Sequence, residues 1–337
     1  MTIGTLIRTH RLEKHLTQAQ LAQHLGVSRQ TIIHLEQGKL SPSFELMARL
    51  RELLAISLDA AAETFGSREP GWHWWPKEPA HSGPVVSAVI QGRMIVAPAL
   101  ETLTQDFSNG WWDDKSGQIR WVDSLSPLTQ IFVAGCDPFL PWLARAFGAA
   151  EAPYRVIPFS LSSTKAVAAL EAGYVHLAGS HLFDPPTGRY NQLAGRGGPW
   201  AYIGYLDWEE GRVFHPRTGK SGGWFLREPG SEAYALWRRQ ELEGRPIRHW
   251  SSHLQLIEAL AREDGAQGVS LGSLAALYGL AFEPWSAESY EWVCAPGDLD
   301  TPWLDAFLRV LRSSPLSRQL SPILHQSQAR WAQVRQD

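Results

Sequence analysis

Apolar side chains recur every three or four residues through the first part of the chain, from Ile3 to Leu54. This spacing is that of amphipathic α-helices, and polar breaks divide the segment into four of them. Thr17 and Ser28 stand where N-caps are expected, and Gly26 stands where the helix between them should end. Two short helices joined by a tight turn that contains glycine predict a helix-turn-helix.

The helical period stops in residues 66–84, where four prolines interrupt the chain. We therefore predict the domain boundary there. Trp72, Trp74 and Trp75 are unusual for a flexible linker, and two interpretations fit them. The indoles could form a stacking surface for nucleotides or another ligand. Packing of the segment onto the next domain, or across a dimer, is the favoured interpretation.

From Val85 onward, short apolar strands alternate with amphipathic helices. Such alternation predicts a largely parallel sheet with helices on both faces, and the segment is long enough for two lobes with a cleft between them. The predicted fold class is therefore multidomain. It comprises an all-α helix-turn-helix domain over 1–65, a Pro/Gly/Trp linker over 66–84 and a two-lobed α/β domain over 85–337.

Charge is distributed unevenly along the chain. The 337 residues carry a net charge of −3, but residues 1–56 contain seven Lys and Arg against four acidic residues. A basic head on an acidic body permits a nucleic-acid-binding domain joined to a domain with another task. Only two cysteines occur, Cys136 and Cys294, which fits a reducing compartment. The sequence contains neither a signal-peptide pattern nor an apolar run of membrane-span length, so we expect a cytoplasmic protein without membrane contact.

The string TQAQLAQHLGVSRQTIIHLEQGKLSPSFELMARL closely resembles the phage-repressor-like (XRE) family of DNA-binding domains. The resemblance implies that Arg29–Gln37 lies in the major groove of a double-stranded operator, and that Arg11 pairs with Glu36 in a structural role. The residues expected at DNA bases or phosphates are Gln18, Ser28, Arg29, Gln30, Thr31, Ile33, His34 and Lys39. A helical bundle that binds protein is the alternative.

Three predicted strand-to-helix turns carry small polar residues just before a helix. They are Gly135-Cys136-Asp137, Ser162-Ser163-Thr164 and Pro229-Gly230-Ser231. Helix N-termini present free N–H groups and partial positive charge, so several of them around one cleft would cradle an anion or a polar small molecule. Asp137 would repel an anion, and Arg227 is the candidate for a compensating charge. Helix capping without any ligand is the alternative.

Four strings, VAGCDP, LSSTKAVAALEAGYVHLAGSHLFDPPTGRYN, REPGSEAY and GVSLGSLAALYGLAF, resemble the type 2 periplasmic-binding-protein fold in its cytoplasmic regulator form. The resemblance covers 131–320. It implies a ligand-sensing cleft, and the similarity of related domains to molybdate- and tungstate-binding proteins implies an oxyanion or a related metabolite as the small-molecule effector. The residues expected at the ligand are Cys136, Asp137, Ser162, Ser163, Thr164, Ser180, His181, Arg227, Gly230, Ser231 and Ser270.

Catalytic and metal-binding patterns are weak in this sequence. Ser180, His181 and Asp184 lie too close along the chain for a typical triad, and no Gly-x-Ser-x-Gly elbow occurs. Cys136 precedes a predicted helix, but the sequence identifies no base beside it. His-Glu-x-x-His and paired-cysteine motifs are also absent from the sequence. We therefore predict no catalytic residue, no metal ligand and no cofactor.

These observations favour a one-component transcription regulator over an enzyme. It would be a homodimer or a higher even oligomer that binds operator DNA and senses a small ligand. Two alternatives stay open. An enzyme with an accessory DNA-binding head would need a base beside Cys136 or His181. A DNA-binding protein whose large domain binds a protein partner would show no stabilisation by small molecules.

Overall fold

The chain divides into two compact units, Met1–Gln130 and Ile131–Asp337. The structure is a computed structural model. It describes residues 3–37, 40, 42, 44–56, 71–104, 108–122, 126–151, 153–193, 198–217, 223–241, 246–313 and 333–336.

The first unit begins with helices α1 (Ile3–Glu13), α2 (Gln18–Leu25), α3 (Arg29–Glu36) and α4 (Phe44–Leu54). The Thr17 hydroxyl accepts a hydrogen bond from Gln20 N at 3.2 Å, and the Gln20 side chain accepts one from Thr17 N at 2.9 Å. Ser28 Oγ accepts from Thr31 N at 3.0 Å, and Gly26 ends α2 in the left-handed region. These contacts satisfy N–H groups that a helix start leaves open. The predicted helix-turn-helix and its caps are confirmed.

A buried ion pair connects α1 to the end of α3. Arg11 Nε lies 2.5 Å from Glu36 Oε1, and Arg11 Nη2 lies 3.1 Å from Glu36 Oε2. Gln18 donates to the same carboxylate at 2.9 Å. The predicted structural pairing of Arg11 with Glu36 is therefore confirmed. The helices also share an apolar core that includes Leu6, Ile7, Leu21, Leu25, Ile32, Leu35 and Leu50.

The Trp-rich segment forms part of a sheet. Within the described residues, β1 (His73–Trp74), β2 (Gly83–Ile90), β3 (Arg93–Pro98), β4 (Gly110–Asp113) and β5 (Gln118–Trp121) form a five-stranded sheet in the order β1-β3-β2-β4-β5. The ring centroids of Trp74 and Trp112 lie 5.0 Å apart, and those of Trp72 and Trp121 lie 6.4 Å apart. These indoles therefore pack within the sheet to which their own segment contributes β1.

This small sheet bears on the division of the chain. We grouped residues 85–130 with the ligand-sensing domain and placed a linker over 66–84. The strands from His73 to Trp121 pair with one another, and residues up to Gln130 belong to the first compact unit. The segment 71–84 thus contains β1 and the first two residues of β2, and both strands belong to this sheet.

The second unit alternates strands and helices. Its elements are β6 (Gln130–Gly135), α5 (Leu140–Ala150), β7 (Arg155–Ser160), α6 (Ser163–Glu171), β8 (Leu177–Ser180), β9 (Phe183–Asp184), β10 (Arg189–Tyr190), β11 (Ala201–Phe214), β12 (Trp224–Arg227), α7 (Glu232–Arg239), β13 (Pro246–Trp250), α8 (His253–Leu260), β14 (Gln267–Leu271), α9 (Gly272–Leu277), β15 (Ala281–Cys294), α10 (Pro302–Arg312) and β16 (Val334–Gln336).

The main sheet of this unit is mixed. Among the described strands its order is β13-β12-β14-β11-β15-β8-β6-β7, and β16 also pairs with β11. Strand β12 is parallel to β13 and β14, and β6 is parallel to β8, but β11 is antiparallel to β14 and β15, and β15 is antiparallel to β8. The expectation of a largely parallel sheet was therefore wrong. The expected two-lobed α/β domain is present.

Two long strands connect the lobes. The segments WAYIGYLDW and GRVFHP contribute to one continuous strand, β11. It pairs with β15 from Ala201 opposite Cys294 to Phe214 opposite Ala281, with register shifts at Gly204/Leu206 and Glu210/Gly211. Strands β6, β7 and β8 lie on one side of this pair and β12, β13 and β14 on the other. The cleft therefore lies where β11 and β15 pass between the lobes.

Gly179→Ala tests the packing at this crossing. A Cβ on Gly179 would lie 1.7 Å from the Tyr290 hydroxyl and 2.4 Å from its Cζ, so the fully buried ring would have to move. We expect a loss of about 1–3 kcal/mol in unfolding free energy, measured by urea denaturation. Gly297→Ala is the control, because a Cβ there meets nothing within 4 Å. Equal stability of the two variants would contradict the packing described.

Candidate ligand-binding and DNA-binding sites

The cleft brings together most of the residues that we expected at the ligand. Nine of them are buried: Cys136, Asp137, Ser162, Ser163, Ser180, His181, Arg227, Ser231 and Ser270. Thr164 and Gly230 are exposed at the rim. Most of these residues lie at or just after the ends of β6, β8 and β12 or at the N-termini of α6 and α7, and Ser270 lies within β14. In open α/β folds such strand ends and helix starts surround ligands.

His181 contacts Cys136 through one ring nitrogen and Glu288 through the other. Cys136 Sγ lies 3.1 Å from His181 Nε2, and His181 Nδ1 lies 2.6 Å from Glu288 Oε2. Trp208 Nε1 donates to Glu288 Oε2 at 3.2 Å, and the Tyr190 hydroxyl donates to Glu288 Oε1 at 3.3 Å. Both ring nitrogens of His181 are thus occupied, and the carboxylate is held from two sides.

The surroundings of His181 favour its protonated form. Burial lowers the pKa of this imidazole, but the neighbouring Cys136 and Glu288 outweigh burial and raise it well above the ordinary value. Ser163 Oγ lies 3.9 Å from Cys136 Sγ and accepts from the backbone N of His181 at 3.3 Å. The start of α6 therefore contacts the same group of side chains.

A second buried carboxylate lies close to this contact. Glu210 is 0 % exposed, and its Oε1 lies 3.7 Å from His253 Nε2. Burial and the charge of Glu288 raise the pKa of Glu210 well above its ordinary value. Burial, together with the charges of Arg227 and His181, lowers the pKa of His253 well below the ordinary value of a histidine, so His253 is neutral. Its Nδ1 lies 3.1 Å from Ser270 Oγ, where we expected a ligand contact.

Three of these side chains could hold a metal ion. One ligand atom each from His181, Glu210 and Glu288 lies within 4.8 Å of the other two. We predicted no metal ligand, because the sequence has no compact ligand motif. The three residues come from the end of β8 and from the middle of β11 and β15, so their sequence separations carry no such motif.

Asp137 is directed into the start of the next helix. Its Oδ1 accepts from Phe139 N at 2.8 Å. Burial raises the pKa of Asp137 to about 7, although the hydrogen bond from Phe139 acts to lower it. The repulsion of an anion that we expected from this carboxyl is therefore weakened near neutral pH.

The two lobes contact each other at the rim of the cleft. Thr164 Oγ1 donates to the Gly230 carbonyl at 3.1 Å, and Lys165 Nζ lies 2.6 Å from Glu228 Oε2. Ser231 caps α7 by accepting from Tyr234 N at 3.2 Å. The turns predicted around an anion thus meet across the cleft, and part of their polar capacity is used in holding the lobes together.

Asp184 shapes a turn and takes no part in a triad. Its Oδ2 accepts from Thr187 N at 3.2 Å, within an exposed hairpin. Asn191 has a positive φ of 58°, accepts from Leu182 N at 3.1 Å and donates to Glu291 Oε2 at 3.0 Å. The acid beside His181 is Glu288.

Sequence reasoning missed Glu210, Glu288, Trp208 and His253. The available signal was the presence of carboxylates within strands that are otherwise rich in apolar and aromatic residues, as in LDWEEG and ESYEWV. A charged residue that faces the interior of such a strand needs a partner. The pairing of β11 with β15 brings these carboxylates to one place.

The DNA-binding candidates lie in and around α3. Arg29 and Gln30 are exposed on its first turn, and Gln30 Nε2 lies 2.9 Å from His34 Nε2. Ser28 and Thr31 form the cap, and Ile33 is half-buried. Gln18 is bonded to Glu36. Lys39 lies outside the described residues.

Comparisons with known proteins agree with both parts of the chain. Residues 7–60 match the helix-turn-helix family, and residues 144–312 match the family described as PBP superfamily domain. An uncharacterised helix-turn-helix transcriptional regulator of Methanothermobacter thermautotrophicus is 56% identical over 50 residues, which are 15% of this chain and 72% of that protein. The ImmF control region 10 kDa protein of Bacillus phage phi105 is 36% identical over 62 residues, 18% of this chain and 69% of that protein.

A solved structure shows the same fold for the larger part. It is a phosphate ABC transporter substrate-binding protein from Clostridium perfringens, with a TM-score of 0.50 and 10% identity, covering 59% of this chain and all of that chain. The fold and the site define a DNA-binding protein with a ligand-binding domain. The chain belongs to the helix-turn-helix (XRE-type) transcriptional regulators and carries a PBP superfamily domain. None of the described helices is long and apolar enough to cross a membrane.

Arg11→Met tests the ion pair that supports the DNA-binding helices. The variant leaves Glu36 buried without its partner, and we expect a loss of about 3 kcal/mol in unfolding free energy by urea denaturation. Burial raises the pKa of Glu36, but the bonds from Arg11 and Gln18 outweigh burial and lower it. The contribution of the ion pair to the unfolding free energy is therefore complete at neutral pH and is lost as the pH falls through the folded-state pKa of Glu36. The stabilities of the wild type and the variant should become equal in acid.

The control for this variant is Arg8→Met, on the same helix but exposed. It should change the stability by less than about 0.5 kcal/mol. A loss in Arg11→Met that persists undiminished in acid would show that the ion pair is not its source.

Proposed function

We propose that this protein is a one-component transcription regulator that acts in the cytoplasm. A homodimer, or a higher even oligomer, binds operator DNA through α3, and the C-terminal cleft senses a small ligand. The observation that carries the proposal is a buried polar cleft, lined by Cys136, His181, Glu288 and Arg227, in the same chain as a helix-turn-helix. A buried charged site of this kind is costly without a ligand and is typical of binding sites.

Helix α3 would enter the major groove. In this arrangement Arg29, Gln30 and His34 reach base edges and Ile33 contacts a thymine methyl. Gln18, Ser28, Thr31 and Lys39 lie toward the phosphates. The exposure of Arg29 and Gln30 supports this role. A single unit reads few bases, so a dimer on a two-fold site is expected.

The ligand should carry both negative oxygens and a donor or cationic group. The N-terminus of α6 and Arg227 offer hydrogen-bond donors, and Glu210 and Glu288 offer acceptors. An oxyanion such as molybdate or tungstate remains the first group to test. The two buried glutamates favour a related metabolite, or an oxyanion accompanied by a cation, over the bare dianion.

Closure of the lobes would transmit ligand binding to the DNA-reading heads. The contacts of Thr164 with Gly230 and of Lys165 with Glu228 define a closed arrangement. A ligand that binds this arrangement more tightly than the open one shifts the population toward it. The affinity for the operator then changes by the same coupling free energy.

Arg29→Ala and Gln30→Ala test the DNA-binding role. Each should weaken operator binding by about 1–3 kcal/mol, because base contacts are lost while the fold is kept. Fluorescence anisotropy with DNA from upstream of the protein's own and neighbouring genes measures the effect. Arg309→Ala, a surface change on α10, is the control and should bind like wild type. Wild-type protein that binds none of these fragments would refute the regulator.

Native mass spectrometry and thermal shift test the sensor. A ligand retained by the freshly purified protein shows its mass directly. The bound molecule, or one of molybdate, tungstate, phosphate and sulfate, should raise the melting temperature by mass action. Ser163→Ala with Arg227→Met should abolish that rise, and Arg309→Ala should keep it. A screen in which no small molecule stabilises the wild type would contradict the sensor and favour the alternative that the large domain binds a protein partner.

One observation favours a second candidate function. The sequence identified no base beside Cys136, but His181 Nε2 lies 3.1 Å from its sulfur. Such a base can activate a thiol as a nucleophile. Turnover of the retained ligand that is lost in Cys136→Ala and in His181→Ala would establish an enzyme with an accessory DNA-binding head. A ligand that is released unchanged would exclude it.

A further inference from the structure

Four buried side chains in the cleft form a donor cluster: Cys136, His181, Glu210 and Glu288. Together they offer a thiol sulfur, an imidazole nitrogen and carboxylate oxygens. This mixed set is the one that zinc and its neighbours in the first transition series bind in proteins, whereas calcium and magnesium take oxygen alone. Each residue comes from a different strand or strand end, so the tertiary fold brings the four together.

The spacing of the donors suits one small ion. Cys136 Sγ and His181 Nε2 are 3.1 Å apart, and ligand atoms of His181, Glu210 and Glu288 all lie within 4.8 Å of one another. Ligands that lie about 2.0–2.3 Å from a tetrahedral ion are roughly 3.3–3.8 Å from each other. The ligand atoms of His181, Glu210 and Glu288 therefore lie close enough to share one ion, and Cys136, in contact with the same imidazole, is a further donor beside them.

Glu210 supplies the independent indication of a ligand. It is fully buried, and neither carboxylate oxygen has a hydrogen-bond partner among the residues that the structure describes. His253 Nε2, at 3.7 Å, is beyond hydrogen-bonding distance. A buried carboxylate without a partner, beside the second carboxylate of Glu288, is costly. A divalent cation between them would remove that cost.

The groups around the cluster already orient it. Glu288 contacts His181 Nδ1 and directs Nε2 toward Cys136. Trp208 and Tyr190 in turn donate to the Glu288 carboxylate. Metal-binding histidines commonly have their second nitrogen held by a carboxylate in this way, which orients the ring and makes it a better ligand.

We propose that the donor cluster binds a divalent transition-metal ion of the zinc or cobalt type, with His181, Glu210 and Glu288 as ligands and Cys136, which contacts the His181 imidazole, as the fourth ligand. The ion would also place positive charge beside Ser163 and the start of α6, where an anionic effector could bind. The metal site itself requires neither DNA binding nor a particular effector.

Cobalt(II) added to the full-length protein after chelator treatment tests the site. Binding of about one equivalent per chain should produce a thiolate-to-cobalt charge-transfer band in the near ultraviolet, with intense visible bands if the geometry is tetrahedral. Added zinc should displace the cobalt and abolish both. Absence of these bands in the wild type would overturn the proposal.

Matched variants assign the ligands. Cys136→Ser should remove the charge-transfer band, whereas Cys294→Ser, a change at the other buried cysteine, should keep it. Glu210→Gln preserves shape and should weaken cobalt affinity at least about tenfold. A band that survives in Cys136→Ser, or unchanged affinity in Glu210→Gln, would refute the assignment. Circular dichroism confirms that each variant is folded, and operator binding is measured separately, so failure of the metal site leaves the regulator proposal standing.

Discussion

The antiparallel pairing of β11 with β15 is the constraint on which the second unit depends. These strands form the centre of the main sheet and pass between the lobes. They carry Glu210 and Glu288 into the cleft, and Tyr290 of β15 fills the space left by Gly135 and Gly179. A shift of this register by one residue would turn the carboxylates to the opposite face. The same pairing therefore determines the shape of the domain and the chemistry of its site.

The cleft contains groups that attract anions and groups that attract cations. Helix N-termini and Arg227 attract anions, and two buried glutamates attract cations. His181 lies between these groups, with its pKa raised by Cys136 and Glu288 in spite of burial. Such an arrangement binds a bare anion poorly and suits a ligand, or a ligand and an ion together, with both signs of charge. This electrostatic balance connects the proposed sensor with the proposed metal site.

Local patterns predicted the elements well and their arrangement less well. The sequence predicted the helix caps Thr17 and Ser28 and the strand-to-helix turns at Cys136, Ser162 and Ser231, because each depends on residues that are neighbours along the chain. It also predicted the pairing of Arg11 with Glu36, because the family resemblance implies it. The mixed direction of the sheet was not predicted, since alternation of strands and helices does not report the direction of a strand. The predicted ligand residues include those at the strand-to-helix turns, whereas Glu210 in β11 and Glu288 in β15 were not predicted, because no local pattern shows which strand interiors meet in the cleft.

The sequence by itself determined the helix-turn-helix, the two-lobed α/β class and the polar turns, because capping, periodicity and glycine placement act within a few residues along the chain. Only the tertiary structure decided that His181 faces Cys136 on one side and Glu288 on the other, and that Glu210 lies buried beside them. Cys136 and His181 are 45 positions apart along the chain, and His181 and Glu288 are 107 positions apart. Trp208, which donates to Glu288, is 80 positions from it. Long-range strand pairing sets these contacts, and no local pattern along the chain encodes it.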